Sequence, residues 1–162
     1  MPYKSNELAA DVLHELFEYK EGHLYWKVPG RSRQMGKPVG SPSGDGYICV
    51  RINYKLYRVH RLVWAMHGKD PAEIIDHING DKLDNRIENL RGATQSQNCM
   101  NRRQRSDNKS GIKGVVRKKN KWYGSVTLNY KVHPAGYFDT KEDAAVAVEK
   151  LRKELHGKFA RS

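Results

Sequence analysis

Three stretches decide the reading of this chain: Glu73-Ile74-Ile75-Asp76-His77, Asp84-Asn85-Arg86-Ile87-Glu88-Asn89, and Leu90-Arg91-Gly92-Ala93 running on into Thr94-Gln95-Ser96-Gln97-Asn98. The first is an apolar run that ends in a carboxylate and an imidazole, and it reads as a short strand. Asn79-Gly80-Asp81 supplies turn residues, and the second stretch reads as a polar loop. Leu90 to Ala93 reads as a second strand. Thr94, with Gln97 three residues later, predicts a capping box that opens a helix. On that helix Asn98, Arg102 and Arg105 share one face by the three- and four-residue rule.

The residue types in this unit suit phosphate chemistry. Adjacent strand residues point to opposite faces, so Asp76 and His77 do not naturally bind one metal together. They can take separate tasks at one phosphate. A hard divalent cation prefers oxygen ligands and keeps several waters, and the Asp76 carboxylate and Asn98 amide oxygen are suitable donors. A neutral, oriented His77 can deprotonate a water for attack on phosphorus. Asn89 reads as the residue that holds the loop together and fixes the imidazole. Asn85 reads as a loop cap, His60 as a buried hydrogen-bonded histidine, and His14 and His156 as surface residues.

On the N-terminal side, Leu8, Ala9, Val12, Leu13, Leu16 and Phe17 follow helical spacing behind Ser5 or Asn6 as cap. Leu24-Tyr25-Trp26 reads as a strand. Tyr47 to Ile52 and Leu56 to Val59 read as a hairpin turning at Asn53-Tyr54-Lys55, and His60 to His67 as a short helix closed by Gly68. On the C-terminal side, Ile112–Lys118, Trp122–Asn129 and Tyr130–Phe138 read as three strands. A helix capped by Asp139-Thr140 follows to about Leu155, with Ala144, Ala145, Ala147, Val148, Leu151 and Leu155 on its apolar side. The expected class is α+β. The expected organisation is a unit at 1–105 with its motif core at 60–105, a linker at 106–111, and a three-stranded antiparallel sheet packed on one helix at 112–162.

Charge supports a polyanionic partner. The 162 residues carry 30 Lys+Arg against 18 Asp+Glu, a formal net charge of +12. Arg102, Arg103, Arg105, Lys109, Lys113, Arg117, Lys118, Lys119 and Lys121 face a single acid, Asp107, in the window where the two units join. Such a basic joint reads as a nucleic-acid contact. Two cysteines fifty residues apart, Cys49 and Cys99, argue against a disulfide framework and a four-cysteine zinc ribbon. No apolar run approaches the ~20 residues of a membrane span, and the N-terminus has no apolar signal core. The chain therefore reads as soluble and cytoplasmic.

The stretch from His60-Arg61-Leu62-Val63-Trp64 through Ile75-Asp76-His77-Ile78-Asn79-Gly80, Asp84 to Arg91, and Gln97-Asn98 resembles the HNH endonucleases, above all those of bacteriophages and homing nucleases. The resemblance covers roughly 46–105 and agrees in residue type, order and spacing. It implies a ββα-metal unit around one divalent cation, Mg2+ or Mn2+. Asp76 and Asn98 match the metal ligands, His77 the general base, and Asn89 the middle asparagine. With two cysteines, the structural zinc of one HNH branch is not expected.

Gly111 to Arg117, Lys121-Trp122 and Gly136-Tyr137-Phe138-Asp139-Thr140 to Ala145 resemble the APETALA2-type DNA-binding domain over about 107–162. This resemblance implies a sheet laid in the major groove. It makes Lys113, Arg117, Lys119 and Trp122 contacts mostly to phosphate, joined by Arg102, Arg103 and Arg105. Val116 stands where plant members carry an arginine. Trp122, at strand spacing with Val126 and Leu128, is either core or groove contact.

The function these readings imply is metal-dependent hydrolysis of phosphodiester bonds in double-stranded DNA. Cutting would be by nicking or by double-strand cleavage, as a monomer or weak dimer. The alternative is a DNA-binding protein whose nuclease centre has decayed. An RNA-binding factor has only the charge in its support.

Overall fold

The computed structural model of the chain describes residues 8–101 and 108–160. It is a mixed α+β structure that divides into two compact units, Met1–Gly92 and Ala93–Ser162. Of the expected linker, 106 and 107 lie outside the described residues, as do the Ser5 and Asn6 caps and Arg102, Arg103 and Arg105.

In the first unit, helix α1 (Ala10–Leu16) stops one residue short of its expected end, because Phe17 opens a strand. Strands β1 (Phe17–Lys20) and β2 (His23–Trp26) form an antiparallel hairpin with Phe17 opposite Trp26, their rings 4.5 Å apart. That cross-strand aromatic pair, buried at Phe17, outweighs the helical spacing that includes it. Glu21 and Gly22 both take positive φ, the two-residue turn whose twist matches the strands.

Strands β3 (Ser41–Pro42), β4 (Ile48–Ile52) and β5 (Lys55–Arg58) form an antiparallel sheet in that order. The β4–β5 turn is Asn53-Tyr54, again with positive φ at both residues, so Lys55 belongs to the strand. Helix α2 (Val59–Met66) follows directly and buries Val59, His60, Leu62, Val63 and Met66. The core gathers Leu13, Phe17, Leu24, Val39, Val50, Ile52, Leu62, Val63, Ile75 and Leu90. Burying each large apolar side chain contributes about 1.5–3 kcal/mol. Against this core lies β6 (Ile74–His77), which pairs with β7 (Leu90–Ala93), with a single 3-10 turn (Ile87–Asn89) ahead of β7.

In the second unit, helix α3 (Gln95–Met100) starts at the Thr94–Gln97 capping box read from the sequence. It is tied within its unit by Ser96 Oγ to Asn129 Oδ1 at 2.9 Å and by Lys113 Nζ, which donates to the Met100 carbonyl at 3.0 Å. Strands β8 (Val115–Lys118), β9 (Lys121–Leu128) and β10 (Lys131–Phe138) form an antiparallel meander, and α4 (Lys141–His156) packs across it. Val115, Val126, Ala144 and Val148 are its buried core. Gly124 lets the helix approach: a Cβ there would stand 2.6 Å from a Val148 methyl.

One histidine reading changes. His156 is buried, not on the surface, with Nε2 bonded to the Thr127 carbonyl at 2.9 Å. Arg152, also buried, donates to the Lys113 carbonyl. The helix face that carries them turns toward the sheet, where backbone carbonyls satisfy polar side chains. His14 is exposed, as read, and its ring bonds the Met66 carbonyl. Among the described residues no helix is long and apolar enough to cross a membrane.

Candidate active site

The end of β6 carries Asp76 and His77, 6% and 4% exposed. The Asp76 carboxylate is met by Arg91 from β7. Nε donates to Oδ2 at 2.9 Å, and the terminal guanidinium nitrogen lies 2.8 Å from the same oxygen. A buried carboxylate requires such compensation. The partner comes from the neighbouring strand, so the hairpin itself sets where the carboxylate stands.

His77 has different surroundings. Its Nε2 lies 3.0 Å from Asn85 Oδ1, a contact buried on both sides. The tautomer that satisfies it carries the proton on Nε2, donating to the amide oxygen, and puts the basic lone pair on Nδ1. The imidazole also stands edge to face with the His60 ring, centroids 5.1 Å apart, and 5.9 Å from the Tyr47 ring. His60 and Tyr47 are themselves 5.0 Å apart. The three rings come from the β4 side, the start of α2 and the end of β6.

Asn85, not Asn89, is the asparagine that hydrogen-bonds the His77 ring. Asn89 does hold the loop: Oδ1 accepts from Asn79 N–H at 3.0 Å, and Nδ2 donates to Asn79 Oδ1 at 3.0 Å and to the Asp84 carbonyl at 2.8 Å. Asp84 is clamped by Arg86 and Asn79, and Arg86 holds its carboxyl down at about 2. The loop is tied by side chains to its own backbone, which fixes the ends of both strands. Asn85, four residues before Asn89, is the side chain that closure turns inward.

His60 is buried as read, but its Nδ1 finds no hydrogen-bond partner. Burial, with the nearby His77 and Arg58 adding to it, pushes its pKa down to about 3, so the ring is neutral near pH 7. Burial also pushes the Tyr47 hydroxyl up.

Asn98 lies on α3 in the second unit and is half-buried. Among the described residues no three His, Cys, Asp or Glu side chains cluster as a metal-holding group. Asp76 supplies one buried carboxylate. That donor chemistry suits a hard divalent cation that keeps most of its coordination in water and phosphate oxygens, rather than a metal caged by protein ligands.

The residues read as DNA contacts divide by sheet face. Trp122 pairs across strands with Arg117 and Phe138, and it packs against the core beneath α4. The Arg117 guanidinium lies 5.4 Å over the Trp122 ring. Of the two readings left open for Trp122, core is the one this packing favours, because Val115 and Arg117 share the helix-covered face by strand alternation. Lys113 spends its ammonium on the Met100 carbonyl. Lys119 is exposed in the β8–β9 turn with positive φ. The open face instead presents Val116, Lys118, Tyr123 and Tyr137, with the two tyrosine rings 4.9 Å apart and the Lys118 ammonium 4.2 Å over Tyr123. The period-two alternation around Val115 was the signal for this.

Comparison with known proteins agrees with this hairpin. The family model of the HNH endonuclease matches residues 57–100, which span β5 to α3. Protein 3.8 of Escherichia phage T7 is 39% identical over 112 residues, covering 67% of this chain and 92% of that protein. The chain belongs to the HNH endonuclease family. An HNH endonuclease of Acanthamoeba polyphaga mimivirus, described as uncharacterized, is 36% identical over 114 residues, 67% of this family member and 59% of the mimivirus protein. A second such mimivirus protein is 51% identical over 71 residues, 38% of this chain and 18% of its own length. No solved structure matches.

Proposed function

We propose that this HNH family member is a divalent-metal-dependent endonuclease of double-stranded DNA. The observation that carries the reading is His77, buried and held through Nε2 by Asn85 so that Nδ1 is its basic nitrogen, beside the buried carboxylate of Asp76. His77 Nδ1 takes a proton from the water that attacks phosphorus, and the bond to the leaving oxygen breaks as the new P–O bond forms. Asp76 would hold the cation; Asn98, the other ligand that the family resemblance implies, belongs to the second unit. When bound, the cation supplies charge neutralisation at the phosphate and leaving oxygen. Arg91 holds the Asp76 carboxylate in place, and Asn89 keeps the loop that presents Asn85.

The second part of the proposal is a division of labour, with cleavage at 1–105 and duplex binding by an APETALA2-type module at 112–162. The three-stranded meander with one covering helix supports it. Its open face, with Lys118, Tyr123 and Tyr137, offers charge and stacking surface. Linking the two raises the effective DNA concentration at the cleaving part.

The test is supercoiled plasmid incubated with Mg2+ or Mn2+. Wild type converts it to nicked or linear form, whose ratio reads the mode of cutting, and His77→Ala does not. Plasmid left equally intact by both, across metals and salt, overturns the catalytic reading. The Arg91–Asp76 pair gives the second reading, a DNA-binding protein with a decayed centre, its physical basis, since the carboxylate is already compensated. Duplex binding without cleavage would favour it.

A further inference from the structure

The rings around His77 lead outward to a pair of cations that the catalytic reading does not use. Arg58, at the end of β5, places its guanidinium 4.4 Å from the centre of the Tyr47 ring. Lys82, on the loop after β6, places its ammonium 4.5 Å from the same ring. Tyr47 is half-buried, and its ring is the one that stands 5.9 Å from the His77 imidazole. Two positive charges thus converge on one aromatic ring adjoining the imidazole.

One short turn restrains both. Asp45, in Ser43-Gly44-Asp45-Gly46, pairs with Arg58 at 2.6 Å, and its carboxylate also accepts from the Ser43 hydroxyl and from the Tyr47 N–H. Lys82 donates to the Asp45 backbone carbonyl at 2.8 Å, and among the described residues it has no ion pair. Asp45 thus gives its carboxylate to Arg58 and only a backbone carbonyl to Lys82. Holding a lysine still costs side-chain entropy, and bringing it beside an arginine costs repulsion. Neither cost is met by burial, because Lys82 is exposed and Arg58 half-exposed. An anion at the ring's rim meets both.

We propose that Arg58 and Lys82, clasping Tyr47, form a seat for a backbone phosphate of the DNA strand near the one that His77 addresses, with Asp45 as the anion that occupies Arg58 in the free protein. That the anion is a nucleic-acid phosphate rests on the nuclease reading. A planar guanidinium at a strand end and a point-charge ammonium on a loop, converging on one ring, suit a phosphate's several oxygens. The seat positions the strand without reading its sequence.

The test is fluorescence anisotropy of the full chain on a ~25-bp duplex in EDTA, with the slope of log Kd against log salt as readout. One phosphate lost lowers the slope by about 1. The double variant Arg58→Gln/Lys82→Gln is expected to show that drop and to bind about tenfold more weakly at ~0.1 M salt, equally on unrelated sequences. Arg58→Lys keeps the charge and the slope, which separates charge from any loss of folding. Asp45→Asn binds more tightly than wild type. Lys20→Gln, removing an exposed cation elsewhere on the first unit, leaves the slope in place. An unchanged slope in the double variant overturns the seat, and so does an equal drop with Lys20→Gln. If wild type fails to cut plasmid while the double variant shows its lowered slope, the seat stands and the nuclease reading falls. Normal cutting with an unchanged slope does the reverse.

Discussion

Asn89→Ala is the perturbation with the most direct structural arithmetic. The side chain is 7% exposed and makes three hydrogen bonds, one accepted from Asn79 N–H and two donated to Asn79 Oδ1 and the Asp84 carbonyl. Each contributes a net ~1 kcal/mol, and groups left without a partner cost somewhat more where water does not reach them. The expected loss is therefore about 2–4 kcal/mol, a large share of the ~5–15 kcal/mol by which such domains are stable. For a unit of this size each kcal/mol lowers the melting temperature by about 4–8 °C. Asn89→Asp should not recover the loss. It keeps the acceptor for Asn79 N–H but sets a carboxylate against two further oxygens. The assay is urea unfolding followed by tryptophan fluorescence in a Trp122→Phe background, so that Trp26 and Trp64 report the first unit alone. A loss below about 0.5 kcal/mol, or an Asn89→Asp variant as stable as wild type, would refute the account of the loop.

Three further outcomes follow from the same geometry. Asn85→Ala removes the acceptor that holds His77 Nε2, and turnover on plasmid should fall about tenfold to a hundredfold while KM stays within about threefold; an unaltered kcat would remove Asn85 from the orienting role. His60 is neutral in the folded state down to about pH 3, because burial depresses it, but gains a proton near 6.5, the ordinary imidazole value, when unfolded. The unfolded chain therefore binds more protons between those values, and stability held above pH 6.5 is lost as pH falls, by about 1.4 kcal/mol per unit. His60→Phe should flatten that slope in a wild-type-minus-variant comparison of unfolding free energies, and parallel profiles would contradict it. Gly124→Ala places a methyl 2.6 Å from Val148 Cγ2 and should destabilise the second unit by about 1–3 kcal/mol, read by Trp122 fluorescence with Trp26 and Trp64 replaced by Phe.

Much of the local structure was legible in residue order. The Thr94–Gln97 box, the Thr140 cap, the alternation of β8 to β10 and the apolar spacing of α4 are relations between near neighbours, which chain geometry alone fulfils. The first hairpin was not, because Phe17 fits helical spacing equally well until Trp26 lies opposite it. The DNA-contact reading set Arg117 outward and left Trp122 open between core and groove. Alternation places them on one face but does not say which face the helix will cover.

The candidate site divides in the same way. By itself the sequence determined that Asp76 and His77 close a strand, that a polar loop follows, and that a capped helix carries Asn98. Only the tertiary structure decided that Asn85 rather than Asn89 meets the imidazole, that Arg91 compensates Asp76, and that Tyr47 and His60 enclose His77. Two asparagines in one loop are chemically equivalent on paper. Which of them turns inward depends on the hydrogen bonds that close the loop, and those join residues whose approach only the packed hairpin creates.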